Sequence, residues 1–232
     1  MDKPRFILFD FGGTLVQTNF DRDRWILHWL SLARHSAGIS LEKAREVGDE
    51  LLAAAYEAVD VHLVEFTRVQ FERHLCARLG LSFELLPEEL EREYVRVGYN
   101  LIPEPGVNAM LKDVQAHGIS MGVVSNSVIT GRTMRYALDQ LGIGGAFEFI
   151  MTSADYGFRK PHPQLFKTAL ARTGRMAGEV WFVGDSLVKD VGGAQGVGMI
   201  GGWYNPTFEK REGLAPDFEI QALAELMGLM LF

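Results

Sequence analysis

Four short clusters carry the side chains that could do chemistry: Asp10-Phe11-Gly12-Gly13-Thr14, Ser125-Asn126-Ser127, Arg159-Lys160-Pro161, and Gly184-Asp185-Ser186 with Asp190 beyond it. Asp10, Asp185 and Asp190 are carboxylates that would repel one another at a common site. Hard oxygen ligands in that number suit Mg²⁺, which binds through one or two carboxylates plus substrate phosphate and keeps several waters. Lys160 and the Ser125 hydroxyl could hold the remaining oxygens of a phosphoryl group. Asp10 would then be the nucleophile and carry an aspartyl-phosphate, with the metal and Lys160 stabilising charge on the transferring group. Taken singly, an Asp at a strand end is more often a cap or turn, and a Lys before Pro is more often surface. The argument for chemistry rests on all four occurring in order, each at the end of a predicted strand or in the adjacent loop.

Those strands are visible as short apolar runs: Arg5–Asp10, Met121–Asn126, Phe147–Met151 and Val180–Asp185. Helical segments are predicted between them at Val107–His117, Thr130–Leu141, Pro163–Thr173 and Lys189–Gly196. Near-continuous apolar strands alternating with helices predict an α/β fold with a parallel sheet covered on both faces. Ligands bind such sheets beyond the carboxyl ends of the strands, which selects Asp10, Ser125 and Asp185 for inspection. The tail reads as a last strand at Pro216–Ile220 and a closing helix at Ala222–Met227. Two look-alikes are set aside. Gly196–Gly201 has G-x-G-x-x-G spacing, but it follows a helix and opens a strand, the reverse of a dinucleotide site. Asp10-Phe11-Gly12 echoes a kinase triplet with no glycine-rich loop ahead of it.

Residues 16–100 differ in pattern. Trp25, Ile26, Trp29, Leu30 and Ala33 follow helical spacing, as do Val47, Leu51, Ala54, Ala55 and Val59, with Ser40 suited to a helix N-terminus. Two more helices are predicted at about 66–79 and 87–98, and no strand is evident. This stretch therefore reads as an inserted all-helical module, 16–100, in a core formed by 1–15 and 101–232. It holds 15 acidic against 10 basic residues, a balance of −5 out of a total of −7. With 30 acidic and 23 basic residues overall, no basic face exists to neutralise a phosphate backbone, so nucleic-acid binding is not expected. The single cysteine, Cys76, cannot close an internal disulfide. No leader-like apolar segment precedes the first strand, and no uncharged run reaches membrane-spanning length. A cytoplasmic chain, monomeric or homodimeric, acting on a small phosphorylated molecule is expected.

The four clusters resemble the motifs of the haloacid dehalogenase superfamily along the whole chain. Asp10 to Thr14 is similar to its first motif, Ser125 to its second, Lys160 to its third, and Asp185 with Asp190 to its fourth. Arg159–Pro163 and Gly184–Ala194 look closest to the phosphatase branch, and the helical insert is like the superfamily's C1 cap. The resemblance implies a Rossmann-like core, Mg²⁺ dependence and a lid closing over substrate. It assigns catalysis to Asp10, Ser125 and Lys160. It assigns metal binding to Asp10, the carbonyl of Gly12, Asp185 and Asp190, although Asp190 could instead orient Lys160 and Ser186. Thr14, Asn126 and the cap cation Arg24 are candidates for substrate contact.

One departure stands out. The family's first motif is D-x-D-x-T, and Gly12 replaces the second Asp, which there protonates the leaving group and later activates water. Losing a positioned general acid costs about 10²–10⁴ in rate. Substrates with good leaving groups, such as aryl or acyl phosphates, would tolerate the loss. Asp21, Asp23, His28 or His62 could supply the proton instead. A slow or non-catalytic ligand binder is the alternative. Two branches also lack the second Asp. Metal-independent dehalogenases lack the Gly-Asp pair that this chain keeps at Gly184-Asp185. Phosphonatase-like enzymes need a buried cap lysine, and Lys43, the one Lys in 16–100, sits in an exposed-looking first helical turn.

Overall fold

The computed structural model describes residues 3–35, 38–210 and 213–230. The strands in chain order are β1 (Phe6–Phe9), β2 (Val16–Phe20), β3 (Tyr99–Pro103), β4 (Ser120–Ser125), β5 (Phe149–Thr152), β6 (Val180–Gly184), β7 (Ile200–Tyr204) and β8 (Phe218–Ile220). Six of them form one parallel sheet in the order β5-β4-β1-β6-β7-β8. All four residues of β1 are buried, and they alternate between two cores. Ile7 and Phe9 join the larger cluster, and Phe6 and Leu8 the smaller one on the other face. This is the sheet covered on both sides that an uninterrupted apolar strand implies. Each such side chain contributes about 1.5–3 kcal/mol on burial.

The helices are α1 (Arg22–Leu32), α2 (Leu41–His62), α3 (Arg68–Leu79), α4 (Pro87–Glu93), α5 (Val107–Ala116), α6 (Gly131–Gln140), α7 (Ser153–Tyr156), α8 (Pro163–Thr173), α9 (Gly193–Gln195) and α10 (Glu225–Met230). The first four form the helical insert, and side-chain caps fix three of their starts. Asp21 accepts from the Arg24 N–H, Ser40 from Lys43, and Thr67 with Gln70 makes a reciprocal capping box, each satisfying backbone donors that a helix start leaves open.

Two expectations need correction. The insert is not strand-free at its ends: β2 and β3 pair antiparallel, with Val16 opposite Pro103 and Phe20 opposite Tyr99. The chain therefore leaves and re-enters the core through one two-stranded ribbon. Its sequence gives little sign of this because only Val16 of β2 is buried, so apolar alternation is missing. The helices expected at 87–98 and Lys189–Gly196 are each part π-helical, over Tyr94–Gly98 and Leu187–Gly192. Gly196–Gly201 is the turn that leads into β7, with Gly198 at φ +83°. Among the described residues no helix is long and apolar enough to cross a membrane.

Candidate active site

Parallel pairing of β1 with both neighbours sets Phe9 level with Val123 of β4 and Val183 of β6. Asp10 continues that register, its N–H donating to the Val183 carbonyl at 2.9 Å. Ser125 and Asp185 end the flanking strands one step further on, so three strand ends place Asp10, Ser125 and Asp185 around one cavity of about 340 Å³. Gly12, Asn126, Arg159, Lys160, Ser186 and Asp190 also line it. The chain turns back at Gly13, where φ is +79° and an added Cβ would lie 2.5 Å from Asp185 Oδ2. Backbone that close to a carboxylate requires glycine.

Lys160 is the hub. Its buried ammonium donates to Asp10 Oδ1 at 2.6 Å and to the Val124 carbonyl at 3.0 Å, and it pairs with Asp190 Oδ1 at 2.7 Å. An ammonium has three donors, and two of them are committed to the Asp10 and Val124 hydrogen bonds. The observed role of Lys160 is to hold two carboxylates, one by a hydrogen bond and one by an ion pair. Burial alone would lower its pKa, but Asp10 and Asp190 outweigh that and hold it above the ordinary lysine value. Burial pushes Asp10 the other way, up to about 7, although Lys160 opposes the shift; the nearby Asp190 and Asp185 add to it. Asp185 is raised as well, by burial and then by Asp190.

Candidate ligand atoms of Asp10, Asp185 and Asp190 all lie within 4.8 Å of one another. The group therefore fits a hard divalent cation, which would relieve the repulsion that raises Asp10 and Asp185. The three are not equivalent. Asp190 is almost fully buried, its Oδ2 accepts the Ser186 N–H at 3.0 Å, and its Oδ1 lies 2.7 Å from the Lys160 ammonium without a hydrogen bond among the described residues. That unsatisfied oxygen leaves Asp190 able to take a cation beside Asp10, Asp185 and the Gly12 carbonyl.

The remaining predicted residues separate. Ser125 is buried at the cavity wall. Asn126 lines the cavity, but its amide is engaged on both sides of Lys160: Oδ1 accepts the Lys160 N–H at 2.7 Å and Nδ2 donates to the Lys160 carbonyl at 2.9 Å. It anchors the loop that carries Lys160 while still bordering the cavity. Thr14 is fully buried, does not line the cavity, and its hydroxyl has no hydrogen-bond partner among the described residues. Arg24 is exposed and lines neither this cavity nor the neighbouring one. Successive helix positions are about 100° apart, and on α1 it is Arg22, Trp25, Ile26 and Trp29 that face inward.

None of the groups that might replace a carboxylate at position 12 lines the cavity. Asp21 caps α1, Asp23 pairs with Arg45 at 2.8 Å, His28 bonds Glu93 at 2.6 Å, and His62 is exposed. Lys43 is exposed and pairs with Glu46 at 2.9 Å, unlike the buried lysine that Schiff-base chemistry needs.

Two buried carboxylates that were not expected tie the insert to the core. Glu65, between α2 and α3, accepts from Ser153 Oγ at 2.5 Å and pairs with Arg159. Glu91 of α4 accepts from Thr130 Oγ1 at 2.5 Å and from Thr133 Oγ1. Backbone bonds join the same surfaces: Glu65 N–H to the Gly157 carbonyl at 2.9 Å, and Arg159 N–H to the Leu63 carbonyl at 2.8 Å. The insert is thus seated on the loop that carries Lys160.

Known hydrolases are similar to this chain over most of its length. The chain is 28% identical over 205 residues to a glyceraldehyde 3-phosphate phosphatase of Methanothermobacter thermautotrophicus, covering 83% of this chain and 82% of the relative. It spans 57% of the length of two like-named proteins, from Methanocaldococcus jannaschii and Methanopyrus kandleri, at 31% identity over 56% of this chain. A solved phosphatase from Thermococcus onnurineus superposes with a TM-score of 0.69 at 26% identity, covering 99% of this chain and 98% of that one. A 2-haloacid dehalogenase from Pseudomonas syringae reaches the same TM-score at 23% identity, covering 98% of each chain, and so shares the fold. The model of the family described as haloacid dehalogenase-like hydrolase matches residues 7–200, and the chain belongs to that family.

Proposed function

We propose that this hydrolase is a Mg²⁺-dependent phosphatase of a small phosphorylated molecule, working through a phosphoenzyme on Asp10. The observation that carries the reading is the cluster in which buried Lys160 holds Asp10 and Asp190 while Asp185 stands within ligand distance of both. Phosphatase names among the relatives support it. Asp10, Asp185 and the Gly12 carbonyl would hold the cation, with Asp190 contributing its unsatisfied Oδ1 or fixing Lys160. The cation would supply positive charge for the phosphoryl oxygens.

The chain's own residues do the rest. Asp10, ionised against its burial by Lys160, attacks phosphorus; the bond to the leaving oxygen breaks and its electron pair departs with that group. The Ser125 hydroxyl donates to a phosphoryl oxygen. Water then cleaves the aspartyl-phosphate, releasing phosphate and restoring the carboxylate. Fixing the nucleophile in one orientation is itself a large share of such catalysis. Asp10→Asn is expected to lower Mg²⁺-supported p-nitrophenyl phosphate hydrolysis by at least about 10³-fold. Wild-type rates in that variant would refute the mechanism, p-nitrophenyl phosphate turnover that survives EDTA would refute the metal requirement, and EDTA-resistant release of halide from a 2-haloacid would point to metal-independent carbon-bond cleavage. A second reading, a weak or non-catalytic binder, is favoured by one observation: position 12 has no carboxylate, and among the described residues the cavity wall carries no imidazole and no carboxylic acid besides Asp10, Asp185 and Asp190. Steady phosphate release from any substrate in a panel would reject it.

A further inference from the structure

A second cavity of about 290 Å³ lies inside the helical insert and shares Tyr99 with the first. Neighbouring residues line the two in sequence: Val95 and Ile129 face Asp10's cavity, while Tyr94 and Val128 face the other. Along the ribbon, Thr18 borders the first and Phe20 the second, two residues or about 7 Å apart. A molecule with its phosphoryl group at Asp10 could therefore reach this chamber with the group attached to its leaving oxygen.

The chamber is aromatic. Trp25, Trp29, Phe66, Phe71, Tyr94 and Tyr99 line it, and the buried Arg68 guanidinium sits 4.2 Å from the Tyr94 ring centroid and 5.2 Å from those of Trp25 and Phe71. Glu72 pairs with Arg68 at 2.8 Å, so this buried pair adds no net charge. Arg22 stands at the wall engaged with Asp49 at 2.6 Å. The indole N–H of Trp29, also buried, finds no hydrogen-bond partner among the described residues. Such walls favour a flat apolar body. A polyhydroxylated chain entering here would set most of its hydroxyls against aromatic faces, with the unsatisfied Trp29 and Arg68 N–H groups left for one or two of them. The volume is at the low end of ligand pockets, about 300–1,000 Å³, which suits one ring and not a nucleoside.

Position 12 points the same way independently. Without a carboxylate there, the leaving oxygen departs unprotonated. A phenol, ionising near pH 10 as tyrosine does, tolerates that far better than an aliphatic alcohol, and an aryl carboxylate tolerates it better still. The geometry points to a phosphorylated one-ring aromatic as the substrate class, with the ring in the Trp25–Tyr94–Tyr99 chamber and its phosphorylated oxygen as the leaving group. This rests on the phosphatase reading above.

Acetyl phosphate and benzoyl phosphate release carboxylates of similar acidity and differ in the ring, so their comparison isolates the chamber. Gly48 lies within α2 at the chamber wall, and a Cβ there would meet only the Arg22 guanidinium at 3.4 Å and Phe71 Cζ at 3.9 Å. Gly48→Leu thus fills the space while improving helix propensity, and Ala44→Leu is the second variant should the first fail to fold. In the wild-type chain kcat/KM is expected to favour benzoyl over acetyl phosphate by about 30-fold or more, a ratio falling below about 3 in Gly48→Leu. Phenyl phosphate run beside them tells a phenol ester from an aroyl phosphate by the larger kcat/KM. A wild-type ratio near one, or a ratio kept in the filled variant, overturns the inference and leaves the phosphatase reading intact. If neither acyl phosphate is turned over, it is the phosphatase reading that fails. Tryptophan-fluorescence titration with non-hydrolysable phenyl phosphonate then decides the chamber. A response weakened at least about tenfold by Gly48→Leu supports it, and one that is absent or unchanged refutes it.

Discussion

A carboxylate two residues beyond Asp10 would stand at the wall of the same cavity, because Gly12 lines it and an added Cβ there meets nothing nearer than Thr18 at 3.9 Å. Position 12 is also free of the positive φ that constrains Gly13, so Gly12→Asp is sterically admissible. Its effect should depend on the leaving group. Alkyl phosphates, whose alkoxide needs a proton, are expected to speed up by about 10²-fold or more, and aryl phosphates by less than about tenfold. Steady-state kcat/KM on a matched alkyl and aryl pair measures this. Equal factors for the two, or none for either, would mean that the missing acid does not limit this site. The same comparison separates the chemical role of position 12 from the metal, since a backbone carbonyl is present in both proteins.

Among the elements, the connection between α2 and α3 carries the most consequence for the site. Glu65 is fully buried in its side chain and Arg159 is partly buried, and Arg159 adjoins Lys160. Loss of either partner strands a charge against the core, so Glu65→Ala is expected to cost about 1.5–3 kcal/mol in urea unfolding. In a double-mutant cycle with Arg159→Ala the coupling should exceed about 1 kcal/mol; additive effects would show that the pair does not seat the insert. This contact also marks how far the fold and site could be read from the sequence. Asp10, Ser125 and Asp185 were legible because each ends an apolar run, a local signal. The amide of Asn126 clamps a peptide 34 residues away and Glu65 bonds a partner 94 residues away, and neither separation leaves a local mark. Trp25 and Trp29 were legible as one face of a helix and Phe71 as part of another, which is what periodicity encodes. That these faces enclose a cavity depends on α1, α2, α3 and the π-helical turn at Tyr94 meeting, which it does not encode. Arg24 shows the same limit, since charge and proximity to the first motif suggested a role that its rotation about α1 denies.

At the scale of the molecule, the acidic excess and the site are linked through stability. Asp10 and Asp190 are ion-paired with Lys160, and burial together with mutual repulsion raises the pKa values of Asp10 and Asp185. A divalent ion bound there by the folded chain alone stabilises it by about 2.7 kcal/mol at a hundred times its Kd. For a chain of 232 residues each kcal/mol moves Tm by about 2–4 °C, so Mg²⁺ should raise Tm by roughly 5–11 °C and EDTA should reverse it. Surface charges elsewhere, five of the net seven negatives lying in residues 16–100, respond to any salt through screening. NaCl at matched ionic strength is therefore the control and should produce a much smaller shift. Asp185→Asn supplies the decisive arm, because it removes one of the repelling carboxylates and a cation ligand together. Its Tm without metal should equal or exceed that of the unaltered chain, while the Mg²⁺ shift disappears. Should Asp185→Asn keep the full shift, or NaCl reproduce it, the ion would be acting on the acidic surface and the three carboxylates would not form a metal site.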